Sequence, residues 1–519
     1  MSKPAEKFYD LLVIGGGVNG CGIARDAVGR GYSVYLAEKD DLAQATSSAS
    51  TKLFHGGLRY LEYFEFRLVK EGLRERDILL HNMPHISKPM RFVLPLHRDM
   101  RFDGSTPSSK LLAFIMPWMK GRRPNWLIRL GLFFYDSMSS RGSVLPKTTK
   151  LKLRNRPEGQ PLKEKFEDAF EYSDGWIEDS RLVTLNARDA KIRGADINTR
   201  HMVMSARTKD GIWEAKIKNQ RNNKVQTIKA KMLINAAGPW VGDVIHGQLN
   251  LKTNENTRLV RGSHIVVRRR FGHDKSYFFQ GADGRIIFAI PYEQHYTLIG
   301  TTDQAHIDPD RVPFCTDEER DYLLDFANQY LKEPLKKKDI TWSYSGVRPL
   351  YDDGAENPSA LTRDYVLKVN HSLGAPALNI FGGKITTFRK LAESAMRLID
   401  TEFSQVTDVW TANAPLPGGG FDRNDREDLV NKLQKNCDFL TPSDAERLIT
   451  YYGTDAFEIF GNVKGPKKIA TGVFAPELDW VRSHEFVETA DDFVWRRSRL
   501  GLHLSKTEIK KIDAYLQLR

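Results

Sequence analysis

Residues 8–38 constrain the fold of this chain more than any other stretch. Phe8 to Ile14 reads FYDLLVI, an apolar run with strand character. It breaks into Gly15-Gly16-Gly17-Val18-Asn19-Gly20, which fits the spacing G-x-G-x-x-G. A helical segment from Cys21 to about Arg30 follows, then a second strand, Tyr32 to Ala37, which ends in Glu38. A strand, glycine turn, helix and strand closed by an acid about 20 residues on form a dinucleotide-binding unit. Gly15 permits the turn, Gly17 lets a pyrophosphate approach the backbone, and Gly20 lets the helix pack closely on the strand. The helix N-terminus offers the phosphates free N–H groups and a positive dipole. Glu38 is placed to accept hydrogen bonds from a ribose 2′-hydroxyl and to repel a 2′-phosphate.

The chain continues with small and hydroxyl residues, Ala45-Thr46-Ser47-Ser48-Ala49-Ser50-Thr51-Lys52, and then Phe54-His55-Gly56-Gly57-Leu58-Arg59-Tyr60. Small residues beside a cofactor loop let backbone and hydroxyls reach the cofactor. Two further small-residue turns are Ala236-Ala237-Gly238-Pro239-Trp240, after the buried strand Met232–Asn235, and Gly382-Gly383-Lys384-Ile385-Thr386-Thr387, which opens a helix over Phe388–Ile399. Residues 65–80 have helical spacing. Arg258 to Tyr344 is mostly strand-like and predicts a large antiparallel sheet. Pro415-Leu416-Pro417-Gly418-Gly419-Gly420 marks a linker, and the remainder predicts a helical domain with helices over 423–433, 442–452 and 488–501. Leu111 to Tyr135 combines Trp118, Trp126, Phe133 and Phe134 with Lys120, Arg122, Arg123 and Arg129. Such a segment suits a membrane interface, and equally a core helix flanked by arginines.

At 519 residues the chain requires two or three domains. No apolar run approaches the roughly 18 residues of a membrane span, and the MSKPAEKFYD start has no signal-peptide apolar region, so a cytosolic origin is expected. Cys21, Cys315 and Cys437 are far apart, which predicts neither disulfides nor a cysteine zinc site. No H-E-x-x-H or calcium loop occurs, so no metal is expected. The net charge of +12 favours an anionic partner. No nucleic-acid recognition motif accompanies it, and phosphorylated substrate or acidic lipid accounts for the charge.

Taken together, IGGGVNGCGIARDAVGRG, ATSSASTKLFHGGLRYLEYFEFRLV, PMRFVLP, NAAGPWV, RGSHIVV, IGTTD, YSGVRPL, TRDY and FGGKITTFRKLAE resemble the FAD-dependent aerobic glycerol-3-phosphate dehydrogenases of bacterial membranes, within the D-amino-acid-oxidase-like flavoprotein superfamily. The resemblance spans nearly the whole chain, although residues 98–124 form a longer stretch than it leads one to expect. It implies an α/β fold, α+β overall. A Rossmann-like FAD-binding domain (1–80, 166–260 and 345–403) joins an antiparallel-sheet substrate domain (81–165 and 261–344) and a C-terminal helical cap domain (404–519). It also implies FAD as cofactor, sn-glycerol 3-phosphate as substrate and dihydroxyacetone phosphate as product. Ubiquinone would be the electron acceptor, reached from a peripheral position on lipid at the cytoplasmic face of the membrane. The nearest alternative is a related flavin oxidase that uses oxygen, acting on glycerol 3-phosphate or on an amine or amino acid. A homodimer is compatible with the sequence, which does not fix the oligomeric state.

Flavin oxidation of a secondary alcohol needs the substrate C2–H facing flavin N5, an exit for the hydroxyl proton, and a fixed phosphate. Arginine suits a phosphate dianion because its fork is bidentate. Arg348 and Arg363 are assigned to the phosphate and polar end, with Arg59 a third basic group and Tyr60 beside it. His264 is the candidate base, because histidine titrates near working pH, and His55 is the runner-up. Lys384 is expected beside the isoalloxazine, where its charge would favour an anionic reduced flavin. Gly15, Gly16, Gly17, Asn19, Gly20, Glu38, Thr46, Ser47, Ser48, Ala237, Gly238, Gly383, Lys384, Thr386 and Thr387 complete the expected FAD contacts. Thr386 and Thr387 are also expected to cap the following helix.

Overall fold

The computed structural model describes residues 7–97, 106–115, 124–139, 143, 145–281, 285–352, 354, 364–461 and 463–518. Its first sheet is built on Phe8–Ile14 (β1), whose Leu11, Leu12 and Val13 are fully buried. Burial on both faces is what an apolar run without alternation specifies for a parallel strand. The helix Val18–Gly29 (α1) leads to Val34–Ala37 (β2), which pairs parallel to β1. On the other side β1 pairs with Val225–Asn235, and that strand pairs with Ala377–Phe381, both parallel. The register sets Ile14 opposite both Ala37 and Asn235, and Asn235 opposite Asn379. The three glycine turns therefore leave the sheet at one carboxyl edge, where ligands of open α/β sheets bind.

The second sheet has ten strands and stands on the Thr257–Arg268 strand, which pairs antiparallel with Tyr296–Gly300 and Ile340–Tyr351. One pair departs from the expected antiparallel pattern: Ser276–Gln280 runs parallel to Ser87–Leu96. These two segments are distant in sequence and no hairpin fixes their direction. Leu53–Phe54 and Asp168–Ile177, grouped with the cofactor domain by sequence, pair within this second sheet. The chain thus passes between the two sheets within residues 34–54 and again within 168–198, and the site forms where it crosses.

The C-terminal part encloses its own core, including Leu433, Leu448, Phe460, Leu478, Phe493 and Ile512. Pro442–Tyr452 begins at the predicted residue because Thr441 and Asp444 form a reciprocal capping box with proline at the first helical position. Arg426–Asn436 lies slightly later than predicted, and Lys506–Gln517 is an additional helix capped by Ser505 and Glu508.

Of the two readings of residues 111–135, the described side chains exclude a plain core helix. The helix Asn125–Met138 buries only Leu132 and Tyr135. Trp126 is 55% exposed, Phe133 64% and Phe134 45%, and Phe114 on the preceding helix Pro107–Ile115 is 87% exposed. Trp118, Lys120, Arg122 and Arg123 lie outside the described residues. No helix among the described residues is long and apolar enough to cross a membrane.

Candidate active site

The first turn has the geometry a pyrophosphate requires. Gly15 has φ +108°, and a Cβ there would lie 2.5 Å from the Ala236 carbonyl oxygen, so both conformation and space demand glycine. On Gly20 a Cβ would meet the Gly15 carbonyl oxygen at 2.0 Å, so the close contact is helix against turn. Gly17 is the N-cap of α1 and offers no side chain, which leaves first-turn N–H groups to a ligand. Val18 N–H donates to Ser47 Oγ at 3.0 Å and ties the serine run to this turn. Thr46 and Ser48 spend their hydroxyls on the Val347 carbonyl (2.6 Å) and the Ala45 carbonyl (3.3 Å). Ser47, an acceptor in its one described bond, keeps its proton to donate.

Glu38 accepts from Gly16 N–H at 2.6 Å and Asp40 N–H at 2.7 Å. Burial nevertheless pushes its carboxyl up to about 7, against the lowering effect of those bonds. Asn19 Nδ2 donates to the Gly382 carbonyl at 3.2 Å, while its Oδ1 is buried without a partner. An orphaned acceptor between the first and third turns calls for a donor from a ligand. Uncapped helix, acid and orphaned amide together fit FAD. The second turn contributes Ala237 and Gly238, the latter at φ +59°.

In the third turn Gly382 and Gly383 have φ +69° and +97°. A Cβ on Gly383 would lie 3.2 Å from Asn19 Nδ2, so the first and third turns touch. Lys384 Nζ sits 3.9 Å from the ring centroid of Tyr60, a cation–π contact. The expected threonine cap is absent. Thr387 is at the N-cap of Phe388–Glu402 but makes no cap bond, and Thr386 Oγ1 instead accepts from His55 N–H at 3.3 Å. The loop 55–60 competes for that hydroxyl. Burial and the Lys384 charge push His55 down to about 4.

His264 faces Gly300 on one neighbouring strand and Tyr344 on the other. Its ring stacks on Tyr344 with centroids 4.8 Å apart and planes at 13°. Nε2 is 2.9 Å from Thr51 Oγ1, and Nδ1 is buried without a partner. Burial, with the charges of Arg348 and Lys52, pushes His264 down to about 3, so the ring is neutral at working pH. Arg348 is paired with Asp303 and reaches Thr301 Oγ1 at 3.4 Å. It passes over Gly262, where a Cβ would be 2.6 Å from its Nη2. Arg59 and Tyr60 lie in the turn Leu58–Tyr63, where Tyr60 meets Lys384 while Arg59 lines an apolar cavity with Leu58, Leu61 and Phe64. Arg363 lies outside the described residues.

Sequence reasoning gave no role to Thr51, Lys52, Asp179, Asp303 or Tyr344. IGTTD and the serine run were singled out as motifs, which was a signal for Asp303 and Thr51. Asp179 falls in none of those motifs, and Lys52 closes the serine run with nothing to mark it as buried; the two are fully buried and bonded to each other at 2.8 Å.

Residues 10–389 match the model of the FAD dependent oxidoreductase family, and residues 409–517 match the C-terminal domain of alpha-glycerophosphate oxidase. A D-erythritol 1-phosphate dehydrogenase of Brucella abortus is 45% identical over 96% of this chain and 96% of its own length. A glycerol-3-phosphate dehydrogenase of Pseudomonas aeruginosa is 43% identical over 99% of this chain and 96% of its own. Among solved structures, a glycerol-3-phosphate dehydrogenase from Bacillus halodurans complexed with FAD superposes with a TM-score of 0.71. It is 26% identical and covers 99% of this chain and 95% of its own. Geometry and likeness agree over the full length: the chain belongs to the FAD-dependent oxidoreductase family.

Proposed function

We propose that this enzyme oxidises the C2 hydroxyl of sn-glycerol 3-phosphate, giving dihydroxyacetone phosphate. The observation that carries the reading is the presence, on two paired strands beside the cofactor loops, of Arg348 opposite Val260 and, four residues along from Val260, a neutral, buried His264 whose Nδ1 has no partner. Bound FAD supplies the two-electron acceptor. Arg348 exchanges Asp303 for the substrate phosphate, and Arg363 is the second arginine proposed for that role. In the tautomer that donates Nε2–H to Thr51 Oγ1, the Nδ1 lone pair of His264 is left to take the C2 hydroxyl proton. Burial disfavours the imidazolium, so the proton does not rest there before substrate arrives. Lys384, held over Tyr60, places a positive charge at the third turn, where it would stabilise negative charge on a reduced flavin bound beside that turn.

A second reading has D-erythritol 1-phosphate as the preferred substrate, because the Brucella relative is as similar to this chain as the glycerol-3-phosphate dehydrogenases are. Both carry a secondary hydroxyl next to the phosphorylated carbon and need an arginine-held phosphate beside a base. Steady-state kcat/KM with a soluble dye separates them. The primary reading expects glycerol 3-phosphate to exceed D-erythritol 1-phosphate, and unphosphorylated glycerol to fall far below both. The reverse order of the two phosphates favours the second reading.

Electrons then pass to ubiquinone at the cytoplasmic face of the membrane, with the enzyme bound peripherally. The exposed Trp126, Phe133 and Phe134 support this. So does an apolar cavity of about 380 Å³ under the same helix, lined by Leu58, Leu61, Phe64, Ile128 and Phe134. Peroxide formation during turnover would instead favour the oxidase alternative.

A further inference from the structure

Three arginines within four residues of the C-terminal domain reach across to the cofactor loops. Arg496 and Arg497 both grip Asp41, three residues after Glu38: Arg496 Nε at 2.5 Å, Arg497 Nη1 and Nη2 at 2.9 and 2.7 Å. Arg499 goes further. Its Nη2 donates to Asp179 at 2.6 Å and also approaches the Ser48 carbonyl and Ser180 Oγ, both at 3.3 Å. All three side chains are buried. The segment is itself anchored on the second sheet, where Trp495 stacks on Trp342 at 4.9 Å and Tyr296 O–H donates to the Leu502 carbonyl at 3.0 Å.

Asp179 is the hub on which the serine run is folded. Lys52 Nζ donates to both of its oxygens at 2.8 Å and to the Ser48 carbonyl at 3.2 Å. Ser50 donates to Asp179 from its hydroxyl at 2.8 Å and from its N–H at 3.2 Å. Thr51, between these two residues, contacts His264 Nε2. Tyr344, the ring stacked on His264, donates to the Ser50 carbonyl at 2.8 Å. The path from the C-terminal domain to the candidate base is therefore one continuous set of bonds, buried around Asp179 and half-buried along the loop: Arg499 to Asp179 and Ser48, these to Ser50 and Lys52, and the loop so held to Thr51 and His264. Burial and the neighbouring Arg499 push Lys52 down to about 8, while Lys52 and Arg499 outweigh burial and keep Asp179 below the usual carboxylate range. Asp179 is ionised because both cations face it, and it in turn offsets the repulsion of Arg499 on the Lys52 ammonium.

We propose that Arg499 is a positioning residue for the reaction, by which the C-terminal domain fixes the loop Ser48–Lys52 and with it the Thr51–His264 contact and the seat of the flavin. The C-terminal domain is then part of the active site's support and not only a lid or appendage. Arg496 and Arg497 do the same for the turn that follows Glu38. A hydrogen-bonded loop is held to a fraction of an ångström, and displacement of a reacting group by about 1 Å costs on the order of 10²-fold in rate.

The test uses the full-length FAD-loaded enzyme with Arg499→Met and Arg499→Lys. Visible circular dichroism of bound flavin, kcat per bound flavin, KM and thermal melting are measured on each. The expected result for Arg499→Met is an altered flavin dichroism and kcat per bound flavin down by about 10²-fold, with KM for the polyol phosphate within a few-fold of wild type. Arg499→Lys, which keeps the charge and one of the contacts, should recover part of both signals. If Arg499→Met shows wild-type dichroism and wild-type kcat per bound flavin, whatever its melting temperature, Arg499 is at most a structural residue and the proposal is overturned. Its kinetic arm rests on the polyol-phosphate reading and its spectral arm does not. A wild-type flavin that no polyol phosphate reduces sinks that reading, while the dichroism still decides the role of Arg499.

Discussion

Replacing Gly262 by alanine displaces Arg348 without touching its charge. The new Cβ would lie 2.6 Å from Arg348 Nη2 and 2.7 Å from Thr301 Oγ1. Alanine is compatible with the strand Thr257–Arg268, so the strain falls on these two neighbours. Arg348 is a long side chain, 36% exposed, whose head can swing aside at little cost in stability. The loss is then the bidentate hold on the substrate phosphate. Surrendering one charge-assisted hydrogen bond is worth about 2 kcal/mol, or roughly a 30-fold fall in kcat/KM. The phosphate is remote from the reacting carbon, so most of the fall should appear in KM. The melting temperature should stay within about 2 °C, because an exposed head group contributes little to folding. Thr301→Ala in the Gly262→Ala background relieves the second contact, so any loss that persists belongs to Arg348. The reasoning is refuted if Gly262→Ala keeps wild-type kcat/KM, or if unphosphorylated glycerol loses as much as its phosphate.

Other expectations are independent of that one. FAD is held without a covalent bond and is released by acid or heat. Because burial raises Glu38 to about 7 and the carboxylate is a stronger acceptor for the ribose hydroxyl than the neutral acid, FAD affinity should weaken as pH falls below about 7, by at most tenfold per unit. Glu38→Gln should remove that dependence, and a wild-type affinity flat from pH 5 to pH 8, a range of roughly three units, contradicts it. His264→Ala should slow flavin reduction in stopped flow by about 10² or more with FAD still bound; unchanged reduction, with slowing in His55→Ala instead, makes His55 the base. Changing Trp126, Phe133 and Phe134 together to serine should abolish co-sedimentation with anionic liposomes and leave the melt and dye activity intact, since all three are solvent-exposed. A collapsed melting temperature would place those rings in structure, not at a membrane.

The cofactor half of the fold was legible because its signals are local. Apolar strand, glycine spacing, helix and terminal acid all fall within residues 8–38, and the structure places them as read. The helix Pro442–Tyr452 was legible to the residue through its cap. Lys506–Gln517 carries a comparable signal in Ser505 followed by Glu508. Which sheet a strand joins is decided by distant partners, so Asp168–Ile177, buried almost throughout, gave no hint that it pairs with Ser87–Leu96. The candidate site divides in the same way. His264, Arg348 and Lys384 sit in conspicuous turns and strands. Lys52 reads as one more polar residue in a hydroxyl run. Its burial depends on Asp179, and the Ser48 carbonyl beside it meets Arg499 across 451 positions of sequence. Packing between domains leaves no periodicity to find.

The central claim is that this chain is a flavoenzyme reduced by a polyol phosphate. The most direct test is the visible absorbance of the purified protein, taken anaerobically before and after addition of sn-glycerol 3-phosphate. The account predicts an oxidised flavin spectrum that bleaches on addition and returns when a quinone is supplied. A protein that purifies without flavin after FAD is offered, or a flavin that stays oxidised with both glycerol 3-phosphate and D-erythritol 1-phosphate, contradicts it.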